Sequence, residues 1–157
     1  DPIWYYEDLL TRIQKMPNIR FANIKDALQS QPTGEEIICT IRHDLDGDLI
    51  AARQQAELEQ SLGISTSYYL LHTAPYYSIL ADDVFMRSAA SLEDYRHIQN
   101  CGHELALHTD GMTLYQSHNI DGAEAIRTEL AWLRENGCDI RGTTAHNSFG
   151  VYGCNNY

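Results

Sequence analysis

Two aspartates and two histidines stand at the ends of apolar stretches, and their types and spacing suit metal chemistry. Asp44 and Asp46 close the apolar run that begins at Glu36. Because they are two residues apart, an extended chain directs both side chains to the same side. Two carboxylates held this close repel each other, and a divalent cation keeps both ionised. His108 and His146 each end a later apolar stretch and are candidate ligands for such a cation.

One aspartate and two histidines, Asp46, His108 and His146, form a reasonable ligand set for zinc or a similar divalent ion, with water in the open position. Two simpler explanations stay open. Asp46 or Asp48 can cap the helix that begins near Leu49, and a hydrogen bond to the backbone can account for His146 alone. The metal interpretation requires the ligand atoms of Asp46 and His108 to lie within about 5 Å of each other.

His103 lies close to His108 in sequence, but the two cannot share a metal locally. Five residues apart, their imidazoles face opposite sides of a strand and diverge on a helix. His103 shares parity with Leu105 and Leu107. We therefore predict that His103 is a packed, hydrogen-bonded core histidine.

The elements that must position these side chains alternate between helical and strand-like periods. Apolar residues at helical spacing, with their caps and stops, predict helices over 3–16, 24–31, 48–62, 91–100 and 121–137. The fourth of these helices is expected to open with a capping box at Ser91. Short runs rich in β-branched and other apolar residues predict strands over 36–43, 65–71, 103–107 and 140–145.

Four apolar strands separated by helices predict an α/β fold with a parallel sheet and right-handed crossovers. Ligands in such folds gather at the carboxyl ends of the strands. The predicted strand ends carry Asp44, His72, His108 and His146. The fold class and the candidate ligands thus point to the same edge of the sheet.

Length and charge restrict the class of protein. The 157 residues are 43% hydrophobic and 21% charged, which suits one domain with a sizeable core. We expect a single domain over 1–157, either a minimal form of its fold or one cut short at the carboxyl end. The formal net charge of -11 argues against a nucleic-acid partner. No apolar run approaches the roughly 20 residues of a membrane span.

The four cysteines are scattered with no Cys-x-x-Cys pair, so they indicate neither a zinc knuckle nor a disulfide framework. With no signal peptide at the start of the sequence, this pattern favours the cytoplasm without fixing the localisation. The sequence does not indicate the oligomeric state.

Tyrosines cluster in and after the second predicted strand. Tyr68 and Tyr69 are expected in the core, because they lie within an apolar run. Tyr76 and Tyr77 follow Pro75 in an irregular stretch and are predicted to form the wall of a substrate pocket. An aromatic face suits the apolar C–H patches of a sugar ring.

An apolar strand followed by Asp-x-Asp-Gly resembles the first motif of the haloacid dehalogenase phosphatases. That resemblance implies Asp44 as nucleophile and Asp46 as acid/base. Asp48 stands where Thr or Val is usual, and no lysine follows Lys25. The acidic pair at 82–83 would have to supply the metal-binding acids, although it lies only one crossover later.

Two other stretches carry a second resemblance. The residues Ile-Arg-His-Asp-Leu-Asp at 41–46 are similar to the divergent His-Asp-x-Asp form of a first motif, and Gly-His-Glu-Leu-Ala-Leu-His-Thr at 102–109 is similar to the Gly-His-Glu-x-x-x-His-Thr form of a second. Both belong to the polysaccharide deacetylase family, the NodB-type carbohydrate esterases. The resemblance spans about 36–150 and implies a distorted or partial (β/α) barrel.

The deacetylase resemblance implies roles for the residues of both motifs. Asp44 would be the general base, and Asp46 and His108 would bind one divalent metal ion, expected to be zinc. Arg42 or Arg141 would hold Asp44 ionised and oriented. The family usually has a second metal-binding histidine four residues after the first.

This chain has Met112 at the position of that second histidine. His146, or alternatively Asp110, would have to take its place as a ligand. The general acid stays unassigned, because in the family it comes from a later strand.

The implied activity is metal-dependent removal of N-acetyl or O-acetyl groups from a sugar or polysaccharide. The alternatives are a catalytically degenerate domain that binds carbohydrate or metal, which the Met112 substitution favours, and the phosphatase.

Overall fold

The structure is a computed structural model that describes residues 2–81 and 84–147. Its α-helices are α1 (Pro2–Gln14), α2 (Ile24–Gln29), α3 (Leu49–Ser61), α4 (Leu92–Asn100), α5 (Gly111–His118) and α6 (Gly122–Glu135). Its strands are β1 (Ile19–Phe21), β2 (Ile37–Cys39), β3 (Arg42–Leu45), β4 (Ser67–Leu71), β5 (Ser78–Ala81), β6 (Val84–Arg87), β7 (Glu104–Thr109) and β8 (Thr143–Ala145). A short 3₁₀ turn at Ala89–Ser91 leads into α4.

The central element is a four-stranded parallel sheet in the order β3-β4-β7-β8. Helix α3 connects β3 to β4, α4 precedes β7, and α5 and α6 connect β7 to β8. This alternation confirms the predicted α/β class with a parallel sheet. The described strands form an open sheet together with two separate pairs, parallel β1-β2 and antiparallel β5-β6.

The two faces of the central sheet carry different side chains, because successive residues of a strand alternate between faces. On the face packed against helices α3, α4 and α6, the strands contribute apolar residues to one core cluster: Leu45, Tyr68, Leu70, Leu105 and Leu107. The opposite face carries Asp44, whose register partner on β4 is Tyr69, and His108, whose register partner on β8 is Thr144. The candidate chemistry therefore lies on the face away from that core.

A buried carboxylate connects helices α1 and α3 to the core face of the sheet. Glu59 of α3 is fully buried and accepts hydrogen bonds from the hydroxyl groups of Tyr6, Thr66 and Tyr68, while His43 Nε2 lies 2.7 Å from its Oε1. Burial alone would raise the pKa of Glu59, but the hydrogen bonds from His43 and the two tyrosines lower it below the usual range. His43 is thus committed to this network.

His103 has the predicted structural role. Its Nδ1 accepts a hydrogen bond from the backbone N–H of Thr66 at 3.1 Å, and its Nε2–H donates to the carbonyl of Ala56 at 2.9 Å. Burial lowers the pKa of His103, which favours the neutral ring. The prediction of a packed core histidine is confirmed.

The single strand predicted over 36–43 is wrong, because the chain changes partner strand in its middle. Ile37 to Cys39 pair with β1, whereas Arg42 to Leu45 pair with β4. The change of partner falls at Thr40 and Ile41, where the Ile41 carbonyl already accepts from the N–H of Ser67. A continuous apolar run gives no sign of such a switch.

Strand β1, helix α5 and the β5-β6 hairpin were not predicted. Helix α5 begins after Asp110, whose side chain accepts from the N–H of Thr113, and ends at Asn119 in the left-handed conformation. These are helix-start and helix-stop signals, but only Leu114 of this helix is buried, so its apolar period is weak. The β5-β6 hairpin was also missed. The acidic pair at 82–83 of the phosphatase interpretation lies between its strands, outside the described residues.

The caps at the starts of α3 and α4 can be compared with the predicted ones. The capping box at Ser91 is not formed, since its hydroxyl donates to the carbonyl of Tyr76 and leaves the α4 amides to other partners. Asp48 caps α3 by accepting from the N–H of Ala51 at 2.9 Å. Because Asp48 caps the helix, the carboxylate of Asp46 is available to act as a metal ligand.

No helix within 2–81 and 84–147 is long and apolar enough to cross a bilayer. The cysteines of the described part of the chain, Cys39, Cys101 and Cys138, are free thiols.

The crossing of α5 and α6 is tight enough to require glycine, which gives a first prediction. A Cβ added at Gly122 would overlap the carbonyl of Gly111, although alanine is otherwise the better helix former. We expect Gly122→Ala to lower the free energy of unfolding by about 1–3 kcal/mol, measured by urea denaturation. Gly47→Ala, where a Cβ meets nothing within 4 Å, is the control. Equal stability of the two variants would contradict the tight crossing.

Candidate metal centre

The candidate ligands come from three strand ends that the sheet holds at one edge. Asp46 follows β3, His108 is the penultimate residue of β7, and His146 follows β8 directly. The N–H of His146 donates to the carbonyl of Thr109 at 2.7 Å, so backbone pairing continues past β8 and fixes this residue beside the end of β7.

The structure brings Asp46, His108 and His146 together as a group that could hold a metal ion. One ligand atom from each residue lies within 4.8 Å of the others. His108 Nε2 lies 3.8 Å from Asp46 Oδ1, and His146 Nε2 lies 3.9 Å from Asp46 Oδ2. The first distance satisfies the requirement of about 5 Å that the sequence interpretation set.

Both imidazoles are oriented to offer Nε2 to an ion. His108 Nδ1 lies 3.2 Å from the carbonyl oxygen of Thr144, which can only accept, so Nδ1 carries the proton and Nε2 keeps its lone pair. His146 Nδ1 lies 3.5 Å from Asp110 Oδ2, while its Nε2 faces Asp46. Carbonyl and carboxylate partners behind the ring are the usual outer contacts of metal-bound histidines.

The donor set fits a zinc-like ion better than calcium or magnesium, because two of its three donors are imidazole nitrogens. At bond lengths of about 2.0–2.1 Å, tetrahedral ligands lie roughly 3.3 Å apart, so small side-chain shifts would close the group around an ion. The His108 side chain is only 5% exposed, while that of Asp46 is 56% exposed. The open coordination position would therefore be accessible from solvent.

Asp44 lies beside the metal group and is held by Arg42. Its Oδ2 accepts from Arg42 Nη2 at 2.8 Å and lies 3.7 Å from His108 Nε2. The Arg42 guanidinium also lies over the ring of Tyr69, 5.6 Å from its centroid. Of the two arginines predicted to orient Asp44, Arg42 has the expected position.

Arg141 does not lie with Asp44. It precedes β8, at the amino end of the strand, and its guanidinium pairs with Asp139. The alternative that assigned the orienting role to Arg141 is therefore wrong. The error arose because sequence order places Arg141 close to His146 without showing which end of the strand each residue occupies.

The predicted pocket wall of Tyr76 and Tyr77 is also wrong. Tyr77 is fully buried and its hydroxyl donates to Glu129. The Tyr76 hydroxyl donates to the carbonyl of Leu45 at 2.6 Å and accepts from the N–H of Leu71 at 3.0 Å. Burial raises the pKa of both tyrosines. Tyr76 thus connects the ends of β3 and β4 and positions the strand that precedes Asp46.

Two further residues lie at the site. From the sequence, Asp110 was predicted only as an alternative ligand and His72 was given no role. Asp110 is buried, caps α5, accepts from the Thr73 hydroxyl at 3.1 Å and faces His146. Its own N–H donates to His72 Nε2 at 2.6 Å. Asp110 lies behind His146, with its Oδ2 3.5 Å from Nδ1 of the ring, and is not part of the ligand group itself.

Met112 lies in the first turn of α5 and is half-exposed, outside the Asp46-His108-His146 group. In this structure His146, arriving from β8, stands beside His108 with the two ring centroids 5.0 Å apart. The third candidate ligand beside Asp46 and His108 thus comes from the end of β8.

Comparisons of the chain with protein-family models, with curated proteins and with solved structures found no match.

The ligand group predicts zinc binding that depends on Asp46 and not on its neighbour Asp48. We expect the chain to bind one zinc ion, and Asp46→Asn to weaken binding roughly tenfold or more, because one anionic ligand is lost. Asp48→Asn is the matched control, since asparagine caps a helix as well as aspartate does. Competition with a chromophoric chelator measures both affinities. Equal zinc affinity of the two variants would exclude Asp46 as a ligand.

His72 predicts an acid-sensitive contribution to stability. Burial, and to a smaller extent the nearby His108 and His146, lower the pKa of His72 to about 4 from an ordinary value of 6.5. As the pH falls, His72 is therefore protonated at a higher pH in the unfolded chain than in the folded protein. The stabilising contribution of the neutral ring is complete above pH 6.5 and is lost as the pH falls towards 4.

The test compares the free energy of unfolding of wild type and His72→Gln, which retains an acceptor but does not titrate. The difference between the two should be constant above pH 7 and shift in favour of the variant by up to about 3 kcal/mol as the pH falls to 4. A difference that stays constant over that range would show that His72 titrates normally.

Proposed function

We propose that this chain is a metal-dependent hydrolase that removes N-acetyl or O-acetyl groups from a carbohydrate, and that its metal is zinc. The observation that carries the proposal is the grouping of Asp46, His108 and His146 next to the arginine-paired carboxylate of Asp44. Three ligands with an open position, and a separate carboxylate beside them, are the parts that metal-assisted hydrolysis needs.

Each of these residues has a defined task in the proposed reaction. Asp46, His108 and His146 would hold the ion through one carboxylate oxygen and two Nε2 atoms. An ion held there would lower the pKa of a bound water and polarise the acyl carbonyl. Asp44 accepts the proton of the attacking water. The hydrogen bond from Arg42 to Oδ2 positions Asp44 and leaves its second oxygen to act as the base.

The products follow from the balance of bonds. The water oxygen bonds to the acyl carbon, the bond from that carbon to the amine or alcohol breaks, and the leaving group takes up a proton from solvent, to which Asp44 returns the proton that it accepted. A carboxylate and a free amine or hydroxyl result. His146 is assigned as a ligand, so it is not also assigned as the donor of that proton.

The sequence resemblance and the strand order support the finer proposal that the fold is a partial (β/α) barrel of the polysaccharide deacetylase type. The four parallel strands follow one another in chain order across the sheet, as in a barrel, and their carboxyl ends carry the candidate site.

The general-base role of Asp44 predicts the effect of a single isosteric substitution. Asp44→Asn should reduce acetate release from N-acetylated sugars by about 10²–10⁴-fold, because the proton acceptor is lost. Zinc affinity should be retained, since Asp44 is not a ligand in this proposal. Asp8→Asn, at a partly exposed position of α1 that pairs with Arg12, is the control.

The same assays separate the competing functions. Phosphate release from sugar phosphates, abolished by Asp44→Asn, would replace the deacetylase proposal with the phosphatase. One tightly bound zinc ion with neither acetate nor phosphate release would favour a binding domain without turnover. Acetate release unaffected by Asp44→Asn would remove Asp44 from the mechanism.

A further inference from the structure

An open pocket with a volume of about 450 Å³ adjoins the metal group and shares a residue with it. Its walls come from the first turns of α5 and α6 and from the ends of β7 and β8. The residues that matter for its chemistry are Met112, Tyr115, Ala123, Ile126, Ala145 and His146. His146 is both a wall of this pocket and a candidate ligand, so the pocket lies next to the metal group.

Most of the surface of this pocket is apolar. Met112 and Tyr115 leave 44% and 61% of their surfaces exposed, although both are large hydrophobic residues. The two titratable side chains of the lining, Asp110 and His146, stand on the side of the ligand group, and Thr109 and Tyr115 contribute one hydroxyl each. Apolar walls with a few convergent polar groups at one end are typical of small-molecule sites.

Close packing of the two helices makes the pocket a fixed feature of the fold. The backbones of Gly111 and Gly122, which also line it, approach so closely that neither position accepts a Cβ without a shift. The helix starts are further fixed by their aspartate caps, Asp110 and Asp121. The pocket therefore exists before any ligand arrives, which lowers the entropic cost of binding.

The size of the pocket bears on which part of a substrate it takes. Its volume lies within the range of roughly 300–1,000 Å³ that small-molecule sites occupy, and it far exceeds what the single methyl group of an acetyl needs. Sugar hydroxyls would meet few polar partners on the walls of Met112, Ala123 and Ile126. An aliphatic chain would replace water on these walls favourably.

We propose that this pocket binds the acyl chain of the substrate, and that the centre prefers acyl groups longer than acetyl, such as hexanoyl, on an amino sugar. This inference rests on the proposed hydrolase function for its chemistry. The carbonyl carbon lies at the metal group, the chain extends past His146 towards Met112 and Ala123, and hydrolysis releases the free fatty acid and the amine.

Binding to the chain without added metal tests the pocket independently of turnover. N-hexanoylglucosamine and N-acetylglucosamine are titrated separately, with the methyl resonance of Met112 as a local reporter and calorimetry for the dissociation constants. Each fully buried methylene strengthens binding by up to about fourfold. We expect the hexanoyl compound to bind roughly tenfold or more tightly and to shift the Met112 signal.

A variant that fills the pocket tests whether the preference for the hexanoyl compound arises in this pocket. Ala123→Leu adds bulk to the pocket from the exposed side of α6, and Ala131→Leu adds the same bulk to an exposed position of the same helix outside the pocket. Only Ala123→Leu should remove the preference for the hexanoyl compound. Equal affinity for the two compounds in the wild type, or an equal effect of both variants, would overturn the proposal.

Hydrolysis with zinc present separates this inference from the function on which it rests. Hexanoate released faster than acetate supports both. A binding preference for the hexanoyl compound with no release of either acid contradicts the hydrolase but upholds the pocket. If acetate is released, but the hexanoyl compound is neither bound more tightly nor hydrolysed faster, the hydrolase proposal is supported and the acyl-pocket proposal is contradicted.

Discussion

Strand β4 is buried along its whole length between β3 and β7, and the parallel pairing on both of its sides determines where the candidate ligands meet. In a parallel sheet the carboxyl ends of all strands share one edge. Asp46, His108 and His146 are therefore brought together by strand register, although 100 residues of chain separate the first from the last. Tyr76 strengthens this edge by bonding to the last residues of both β3 and β4.

Alternation along the strands separates the chemistry from the core. His43 and Asp44 are neighbours in sequence but face opposite sides of β3: His43 enters the buried network around Glu59, while Asp44 stands with Arg42 and His108. Two clusters of ionisable groups thus lie on the two faces of one thin sheet. The Glu59 carboxylate is satisfied by hydrogen bonds within the protein, whereas Asp44 and Asp46 leave carboxylate oxygens facing an accessible site. This difference explains why a cation is expected at one cluster and not at the other.

Much of this arrangement could be predicted from residue types and periods. The α/β class followed from the alternation of apolar strands with helices, and the parity of His103 with Leu105 placed it in the core. The grouping of Asp46 with His108 and His146 followed from their common position at strand ends. These features depend on local periodicity and on a general rule of sheet geometry, which a single sequence carries.

The failures have a common cause, which is that contacts between distant segments leave little trace in a local pattern. The run at 36–43 divides because β2 and β3 find different partner strands. Tyr76 and Tyr77 turn inward because a strand carbonyl and Glu129 accept from their hydroxyls. Arg141 finds Asp139 at the far end of β8. The position of Asp110 behind His146 could not be predicted, because it depends on β8 bringing His146 to the end of β7.

We infer that one divalent ion is held by Asp46, His108 and His146. Crystals of the zinc-loaded chain, with anomalous diffraction recorded at the zinc edge, would locate this ion. We expect one anomalous peak about 2.0–2.2 Å from a carboxylate oxygen of Asp46 and from Nε2 of both histidines. A zinc ion bound elsewhere, or no peak at this edge of the sheet at saturating zinc, would contradict it.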